Sequence, residues 1–318
     1  MKRIAMLLFV LLLGCRPLPA EPASAAEPTP ETETAAPTDV PIVDTALSET
    51  ITVPSQDPAP TPAPSPDPFK EFFSDTPVLS ERSYKSSSVS ISIESRTIDE
   101  TYGKRVSVHV ADIHVRDVTS IRTEAAQGDF GTRYTRLVRD IAADAGALLA
   151  IDGDTYTHVK KSFVIRNGVL YRDTPIENTD LCVLYRDGRM ETPKWGTFDA
   201  QEIIDAEPWQ VWGFGPALLD ENGKSMEIKH ELMAHNPRAA IGYYEPGHYC
   251  FVIVDGRGES VGMTLSSLSR FMEDLGCRAA YNLDGGSSAQ MYWNGEIISD
   301  PCSEGRVISD IIYILPEE

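Results

Sequence analysis

The chain has 318 residues and a formal net charge of −20 at pH 7. It carries no basic stripe to replace the counterions of a nucleic acid, so the sequence argues against a nucleic-acid partner, and an anionic ligand would have to be met by local positive charge. The residues from about 80 onward suffice for one large domain or two small ones, and because no composition break marks a second boundary we predict one domain.

The N-terminal segment has the layout of an export signal. Two basic residues precede an apolar run over residues 4–13, and this run is too short to span a bilayer, which takes about 20 apolar residues. The run Leu12-Leu13-Gly14-Cys15 resembles a bacterial lipobox. We therefore predict a signal peptide over 1–14, a lipid on Cys15, and attachment to the outer face of the bacterial cytoplasmic membrane, in the extracellular or cell-wall space. Secretion without the lipid stays open as an alternative.

Residues 16–68 have the composition of a tether. They hold 14 of the 23 prolines and no Phe, Trp or Tyr, so they cannot build an apolar core and are predicted to be a disordered, semi-extended linker. The predicted organisation is a lipidated, proline-rich tether over 15–80 followed by one domain over 81–318. This organisation predicts membrane contact through the lipid alone.

The predicted domain opens with strand patterns and continues with a helix that leads into a buried strand. Residues 89–93 and 106–110 alternate apolar with polar side chains, as half-buried strands do. Residues 136–146 carry a helical repeat that ends in a glycine. The apolar run 147–151 that follows does not alternate, which is typical of strands buried on both faces, and it ends in Asp152.

Two more buried strands enclose a helix in the second half of the domain. The apolar runs that end in Asp255 and Asp284 lie on either side of a helical pattern, which begins after the N-cap residue Thr264 and ends at Gly276. Parallel strands are joined by such a crossover helix. The sequence therefore predicts an α/β (α+β) domain, a mixed and twisted β-sheet flanked by helices, with a strand-helix-strand crossover near residues 250–284.

Acidic residues stand at the end of each predicted buried strand. A crossover would bring Asp255 and Asp284 to the same edge of one sheet, where open α/β sheets bind ligands. If the strand before Asp152 joins that sheet, Asp152 and Asp154 converge there as well. Three unrelated turns remain the alternative interpretation.

The most informative motif is the glycine loop Asn282-Leu283-Asp284-Gly285-Gly286-Ser287-Ser288. Paired glycines let backbone amides turn toward an anion, while an ionised Asp284 can accept a hydrogen bond, act as a base or bind a cation. Asp-Gly-Gly is also ordinary turn chemistry. The loop approximates the elbow of a serine hydrolase at Ser287, but residues 290–296 predict a strand and an Asn-Gly turn where an elbow requires a helix.

The remaining candidate side chains leave alternatives open. Arg238, at the entry of a predicted strand, could pair with a carboxylate or grip two phosphate oxygens with its guanidinium. The six histidines are scattered, and none pairs with a recognisable partner in the sequence. The disulfide state of four cysteines is left open: Cys182, Cys250, Cys277 and Cys302.

Six segments occur in the order that is seen in phosphodiester glycosidase domains. They are AIDGD (150–154), FVIRNGVLY (163–171), FGPAL (214–218), NPRAAIG (236–242), DGR (255–257) and NLDGGSS (282–288). The closing run 306–311 also resembles the final strand of that family. On these residues the chain, from about residue 100 to the end, resembles the phosphodiester glycosidase family, which includes an N-acetylglucosamine-1-phosphodiester glycosidase and bacterial exopolysaccharide-associated proteins.

The resemblance implies a domain that hydrolyses a sugar-1-phosphodiester. The catalytic residues it implies are Asp284, Asp152 and Arg238. The substrate-binding residues expected from the resemblance and from the strand ends are Asn282, Gly285, Gly286, Ser287, Asp154 and Asp255. Two departures matter: the family usually has Asn where this chain has Asp152, which implies extra negative charge beside an anionic substrate, and it commonly has a third Gly where this chain has Ser287.

The predicted function is an exported, membrane-tethered hydrolase of sugar-1-phosphodiesters in cell-wall or exopolysaccharide glycans. The alternative is a lipoprotein that binds a glycopolymer without turnover, and a serine esterase that uses Ser287 is a third reading. The predicted partner is a sugar-phosphate glycan, and the predicted state is a monomer. No cofactor is assigned, and a divalent cation, Ca²⁺ or Mg²⁺, stays open. The sequence does not divide water activation and support of the developing cation between Asp284 and Asp152, nor does it decide between attack at carbon and attack at phosphorus.

Overall fold

The computed structural model describes residues 69–98, 105–130, 134–158, 162–229 and 234–317, with the backbone alone at residue 158. They belong to one compact unit, Pro64–Glu318. The predicted signal peptide, the lipid on Cys15 and most of the predicted tether lie outside the described residues. Within the described part of the chain, no helix has both the length and the hydrophobicity of a membrane span.

Short strands make up most of the regular structure. In chain order the strands are β1 (Val78–Leu79), β2 (Ser83–Lys85), β3 (Val89–Ile98), β4 (Val106–Val115), β5 (Arg122–Ala125), β6 (Leu149–Asp152), β7 (Phe163–Arg166), β8 (Val169–Asp173), β9 (Cys182–Leu184), β10 (Met190–Glu191), β11 (Gln210–Trp212), β12 (Arg238–Glu245), β13 (His248–Val254), β14 (Ala279–Asn282), β15 (Met291–Trp293), β16 (Glu296–Ile297) and β17 (Asp310–Ile314). The α-helices are α1 (Val138–Asp144), α2 (Ala200–Asp205) and α3 (Leu265–Asp274).

The strands form three sheets. The first has the order β1-β2-β3-β4-β13-β12-β14, the second β16-β15-β6-β17-β5, and the third β10-β9-β11-β7-β8. Neighbouring strands in the described residues pair antiparallel throughout. The predicted hairpin after β15 is present, because Trp293 pairs with Glu296 across the Asn-Gly turn.

The three sheets share one apolar core. A single cluster of buried side chains takes in Phe251 of the first sheet, Met291 of the second and Trp212 of the third. The opposite face of the first sheet packs against α3, and α1 and α2 pack against the second and third sheets. Strands β6 and β13 are therefore covered on both faces, which is why their sequences are continuously apolar.

Local sequence signals placed two helices correctly. The side chain of Thr264 accepts a hydrogen bond from Ser267 N at the start of α3, as an N-cap residue does. Gly276 follows the last turn with φ +85°, and Gly146 follows α1 with φ +67°. Both glycines occupy the left-handed conformation that ends many helices.

The fold class is confirmed as a single α+β domain, with more antiparallel sheet than the sequence predicted. Strands β13 and β14 run in the same direction with α3 between them, but β12 lies between the two strands and pairs with both. The cause is local, since a tight turn after Glu245 folds β12 back on β13 as an antiparallel hairpin. The crossover therefore skips one strand.

The folded unit begins earlier than the predicted boundary at residue 81. Val78 and Leu79 pair with β2, and the ring of Phe72 stacks on His114 with centroids 3.8 Å apart. Phe72, Val78 and Leu79, which the sequence placed in the tether, therefore contact the folded domain.

Candidate active site

The site lies where the first and second sheets end side by side. Because β17 is antiparallel to β6, its first residues lie beside Asp152, the last residue of β6. In the first sheet, β12 begins at Arg238 beside the ends of β13 and β14. A hydrogen bond of 3.2 Å from Asp284 N to Gly153 O joins the two sheets. The fold thus brings Asp152 and Asp284 to one place from different sheets.

Asp284 is held by three hydrogen bonds. Its Oδ1 accepts from Gly285 N at 2.9 Å, and its Oδ2 accepts from Ser288 Oγ and from Arg306 Nη2, both at 2.6 Å. The side chain of Asp284 is 10% exposed and that of Arg306 is 51% exposed, so the ion pair reaches from the buried edge to the surface. A carboxylate has about four acceptor positions. The described contacts therefore leave one position, on Oδ1.

Asp152 has a different environment behind Asp284. It is fully buried, its Oδ1 accepts from Gln290 N at 3.2 Å, and its Oδ2 has no hydrogen-bond partner among the described residues. Burial first, and the charge of Asp284 second, raise the pKa of Asp152 well above its usual range. This raised pKa favours the neutral carboxyl beside the ion-paired Asp284.

A buried ion cluster supports the loop that follows β6. Arg166 lies 2.8 Å from Asp154 Oδ2 and donates through Nε to Asp310 Oδ2 at 3.2 Å. Asp154 also accepts from the amides of Tyr156 and Gly213. The described contacts of Asp154 are thus internal and tie the loop after β6 to the third sheet, while its expected role in substrate binding stays a prediction.

The position between Asp152 and Asp154 has room only for a glycine, Gly153. A Cβ at Gly153 would lie 2.6 Å from Asp310 Oδ1, closer than a Cβ carbon can approach an oxygen without a clash. The Asp-Gly-Asp spacing therefore lets β17 come against the loop, which places Asp152 and Asp310 on either side of one glycine.

The backbone amides of Gly285 and Gly286, in the glycine loop after β14, already donate hydrogen bonds within the fold. Gly285 N donates to Asp284 Oδ1, and Gly286 N donates to Pro237 O at 3.0 Å. A Cβ at Gly285 would lie 2.9 Å from Pro237 O, so the loop packs closely on the start of β12. These two amides could bind an anion only if their present hydrogen bonds opened. Anion binding by the loop therefore stays a prediction. The role of the half-buried Ser287 stays a prediction as well.

The side chain of Asn282 binds the segment that follows β11 of the third sheet, and not the glycine loop. Its Nδ2 donates to Gly215 O at 2.7 Å, while its buried Oδ1 has no hydrogen-bond partner among the described residues. A buried polar atom without a partner costs free energy unless water or a ligand meets it. The unpartnered oxygens of Asn282 and Asp152 therefore mark the strand ends as a polar site.

Arg238 is buried at the start of β12. Its Nε donates to Met263 O and its Nη2 to Ala234 O, each at 3.0 Å. Burial first and the positive charge of Arg257 second lower the pKa of Arg238 to about 10, so the guanidinium stays charged at neutral pH. These described bonds hold backbone carbonyls, and the phosphate clamp expected of Arg238 stays a prediction.

Asp255 lies at the same end of the first sheet, but its hydrogen bonds are not to Asp152 or Asp284. Its Oδ2 lies 2.8 Å from His109 Nε2, and its Oδ1 accepts from Asp300 N at 2.9 Å. His109 in turn lies 2.7 Å from Ser95 Oγ through Nδ1. His109 therefore has a partner that the sequence did not reveal, since 146 residues separate it from Asp255.

Two exposed arginines that were not predicted as site residues, Arg257 and Arg306, border the glycine loop. Arg306 binds Asp284 as described, and its backbone amide donates to Ser287 O at 2.9 Å. Arg257 donates to Asn236 Oδ1 at 2.8 Å, and its Nη2 lies 3.2 Å from where a Cβ of Gly286 would be. The only sequence signal for Arg306 was its place in the run that resembles the family's final strand.

A cleft of about 640 Å³ opens beside these residues. Its lining includes Gln290, whose backbone amide donates to Asp152, together with Asp300, Ser303 and Glu304. Asp300 is the residue held by Asp255. Gln290 and Asp300 connect the cleft to Asp152 and Asp255, but neither Asp152 nor Asp284 is among the residues that line it.

Comparison with known families decides the affiliation of the chain. The sequence model described as phosphodiester glycosidase matches residues 145–315, more than half of the chain. The chain belongs to the phosphodiester glycosidase family. The matched range contains Asp152, Asp284 and Arg306, so the whole carboxylate and arginine cluster lies in the family domain.

One curated relative has a related sequence. The SPbeta prophage-derived uncharacterized protein YomE of Bacillus subtilis strain 168 is 28% identical over 196 residues, which cover 58% of this chain and 30% of YomE. The chain thus spans less than a third of that relative's length, and the two share a domain rather than a whole architecture.

Solved structures share the fold. The catalytic domain of zebrafish N-acetylglucosamine-1-phosphodiester alpha-N-acetylglucosaminidase, auto-inhibited by its pro-peptide, superimposes with a TM-score of 0.58 at 24% identity, covering 72% of this chain and 84% of that one. A hypothetical protein from Synechocystis gives a TM-score of 0.58 at 14% identity, covering 73% of this chain and 63% of that one. These matches show that the fold is shared, while membership of the phosphodiester glycosidase family supports a hydrolase function.

Proposed function

We propose that the chain hydrolyses the bond between an anomeric carbon and a phosphate oxygen in a sugar-1-phosphodiester. The observation that carries the proposal is the position of the Asp284 carboxylate. It accepts hydrogen bonds from Ser288 and Arg306, and it lies between the surface and the buried Asp152. A carboxylate at this position can assist water or a developing oxocarbenium ion, and an arginine beside it can meet a phosphate. Family membership supports the same reaction class.

The reaction follows from the charges around Asp284. The bond from the anomeric carbon to phosphate breaks, its electron pair stays on the phosphate oxygen, and Arg306 and Arg257 offset the resulting charge. A water oxygen bonds to the carbon and loses a proton to the remaining acceptor position on Asp284 Oδ1. The products are the free sugar and a phosphomonoester. Because phosphate is a good leaving group, the general acid that most glycosidases require is not needed.

Asp284 and Asp152 differ in their exposure to solvent, and we assign their roles from this difference. Asp284 is 10% exposed and linked to the half-exposed Arg306, whereas Asp152 is fully buried. Asp284 is therefore the group that meets substrate, and Asp152 is a positioning residue behind it. The raised pKa of Asp152 favours its neutral form, which offers a phosphate no additional negative charge. In that form Asp152 resembles the Asn that is usual in the family.

We place the reaction on cell-wall or exopolysaccharide glycans outside the cytoplasmic membrane. The support for this location is the N-terminal sequence, with its export signal, its lipobox-like Cys15 and its proline-rich tether. Such a tether would hold the domain close to surface polymers. The membrane anchor, the glycan partner and the monomeric state are parts of this proposal.

The rival function is binding of the same glycopolymer without turnover. The ion pair between Asp284 and Arg306 favours it, because two groups that neutralise each other in the ligand-free fold have to part before either meets a substrate. The purified chain should be incubated with UDP-GlcNAc and with a wall glycan that contains GlcNAc-1-phosphate links, with and without EDTA. Release of sugar and phosphomonoester supports the hydrolase. Binding without release supports the rival, and neither binding nor release contradicts both.

A further inference from the structure

A second polar cluster lies at the other end of the first sheet. Strand β13 begins at His248 and ends next to Asp255, so its seven residues separate this cluster from the candidate active site. His248 pairs with His114 of β4 in the sheet register. Asp112, two residues before His114, lies on the same face. The face thus carries two imidazoles and a carboxylate side by side.

The polar residues interrupt an apolar face. Val106, Val108 and Val110 of β4 face α3 in one buried cluster, and the next positions on that face are Asp112 and His114. Alternation alone would predict apolar residues there. The change from valine to ligand-type side chains occurs on two neighbouring strands at the same level of the sheet.

The potential ligand atoms converge on Asp112. Its Oδ1 lies 2.7 Å from His248 Nε2, and its Oδ2 lies 3.6 Å from His114 Nδ1. One ligand atom from each of the three residues lies within 4.8 Å of the other two. Zinc bonds of about 2.0–2.2 Å would bring such atoms to roughly 3.3 Å from one another. The side chains must therefore rotate to bring the three atoms to these distances.

The surroundings orient the imidazoles. The ring of Phe72 stacks on His114 at 3.8 Å, and Tyr244 stacks on His248 at 4.1 Å. The two imidazoles stack on each other at 4.0 Å with 17° between their planes. Side chains held by packing around a metal centre need less ordering on binding. The rings must open by rotation to direct both nitrogens at one ion.

We propose that Asp112, His114 and His248 form a binding site for one transition-metal ion of the Zn²⁺ class. Two imidazole nitrogens and one carboxylate oxygen suit Zn²⁺, whereas Ca²⁺ and Mg²⁺ prefer oxygen ligands throughout. Asp112 is 41% exposed and His248 is 21% exposed, so water completes the coordination. The ion replaces the proton shared between His248 Nε2 and Asp112 Oδ1.

The test is Zn²⁺ binding to the full chain without an affinity tag, followed by isothermal titration calorimetry. We expect one ion per chain in the parent, and an affinity loss of roughly 100-fold in Asp112→Asn and in His248→Gln, the upper end for disturbed metal sites. Glu94→Gln, on the same sheet, and His235→Gln, at an exposed histidine, are matched controls and should bind as the parent does.

A second measurement does not depend on the folding of any variant. Co²⁺ added to the parent chain should give the visible absorption of a four-coordinate nitrogen and oxygen site. A thiolate-to-cobalt band would instead assign the ion to Cys250, which faces Asp112 across the strands, and would overturn the proposed ligand set. Absence of stoichiometric Zn²⁺ binding, or equal affinity in all four variants, would overturn the site itself.

Discussion

Two carboxyl groups of the same residue type carry different chemistry because their neighbours differ. Asp284 accepts from a backbone amide, a serine and an arginine. Asp152 lies behind it with one backbone donor and a buried, unpartnered oxygen. Environments that separate two acids in this way are typical of sites that need one charged and one neutral carboxyl.

Replacing the charged member should abolish turnover. Asp284→Asn keeps the volume of the side chain but removes the acceptor of the water proton, so we expect kcat to fall by about 100-fold or more. The measurement is release of sugar from a GlcNAc-1-phosphodiester, with circular dichroism to establish that the variant folds. Asp187→Asn, which removes an exposed carboxylate paired with Arg189, is the control. Equal rates in the two variants would place the reacting group elsewhere.

Asp152 should destabilise the fold as the pH rises. With its pKa raised in the folded state, the folded chain holds a proton that the unfolded chain loses near pH 3.9, about the ordinary Asp value. Stability then falls by up to about 1.4 kcal/mol per pH unit until the folded pKa is reached. Asp152→Asn removes this loss, so we expect the variant to be more stable than the parent at about pH 7 and the difference to shrink toward about pH 4.

Urea denaturation of both chains across this pH range measures the difference. Glu94→Gln, an exposed carboxylate on β3, should follow the parent at each pH. A variant that is less stable than the parent at neutral pH would mean that Asp152 is ionised and paired in the fold, and it would contradict the neutral role that we assign to it.

Arg306 should act through substrate binding. It combines an ion pair to Asp284 with a half-exposed guanidinium, and a charge-assisted contact to phosphate contributes about 1.5–3 kcal/mol. Arg306→Gln should therefore raise KM about tenfold or more. Arg189→Gln is the matched control, since Arg189 is 49% exposed and pairs with Asp187. Identical KM values in both variants would remove Arg306 from the site.

At the scale of elements, the sequence predicted those with a strong local signal. Helices α1 and α3 have apolar periodicity and a terminal glycine, and strands β6 and β13 are continuous apolar runs. The third sheet was not predicted because its strands span two to five residues, too few for a period to show. The insertion of β12 between β13 and β14 was missed for another reason, since strand order is set by tertiary packing.

In the candidate site, too, only the residues with a local sequence signal could be predicted. Asp152, Asp284 and the glycine loop follow apolar runs and could be read from the chain. The contact between Asp284 and Arg306 joins residues that are 22 apart in the sequence, and the contact between His109 and Asp255 spans 146 residues. No local pattern encodes such pairs, so the charges around the carboxylates became visible only in the fold.

The packing of α3 on the first sheet depends on a glycine in β12. A Cβ at Gly242 would lie 2.6 Å from Cys250 Sγ and 2.7 Å from both Cys277 Sγ and Met272 Cε. Gly242→Ala should therefore lower the free energy of unfolding by about 1–3 kcal/mol through overpacking. Gly258→Ala is the control, because nothing lies within 4 Å of its added Cβ. Equal urea midpoints would show that the sheet and helix can move apart without cost.

At the scale of the whole molecule, the candidate active site is formed by residues from all three sheets. Asp152 and Asp310 come from the second sheet, Asp284 and Arg238 from the first, and Arg166 from the third. The shared core fixes the three sheets against one another. The candidate site is therefore assembled at the strand ends by the packing of the three sheets.

The most direct test of the central claim is the fate of the water oxygen. The purified chain and Asp284→Asn are incubated with a GlcNAc-1-phosphodiester in ¹⁸O-labelled water, and the products are analysed by mass spectrometry. Attack at the anomeric carbon predicts ¹⁸O in the released sugar, unlabelled phosphomonoester, and little product from the variant. Label in the phosphate, or no product from the parent chain, would contradict the account.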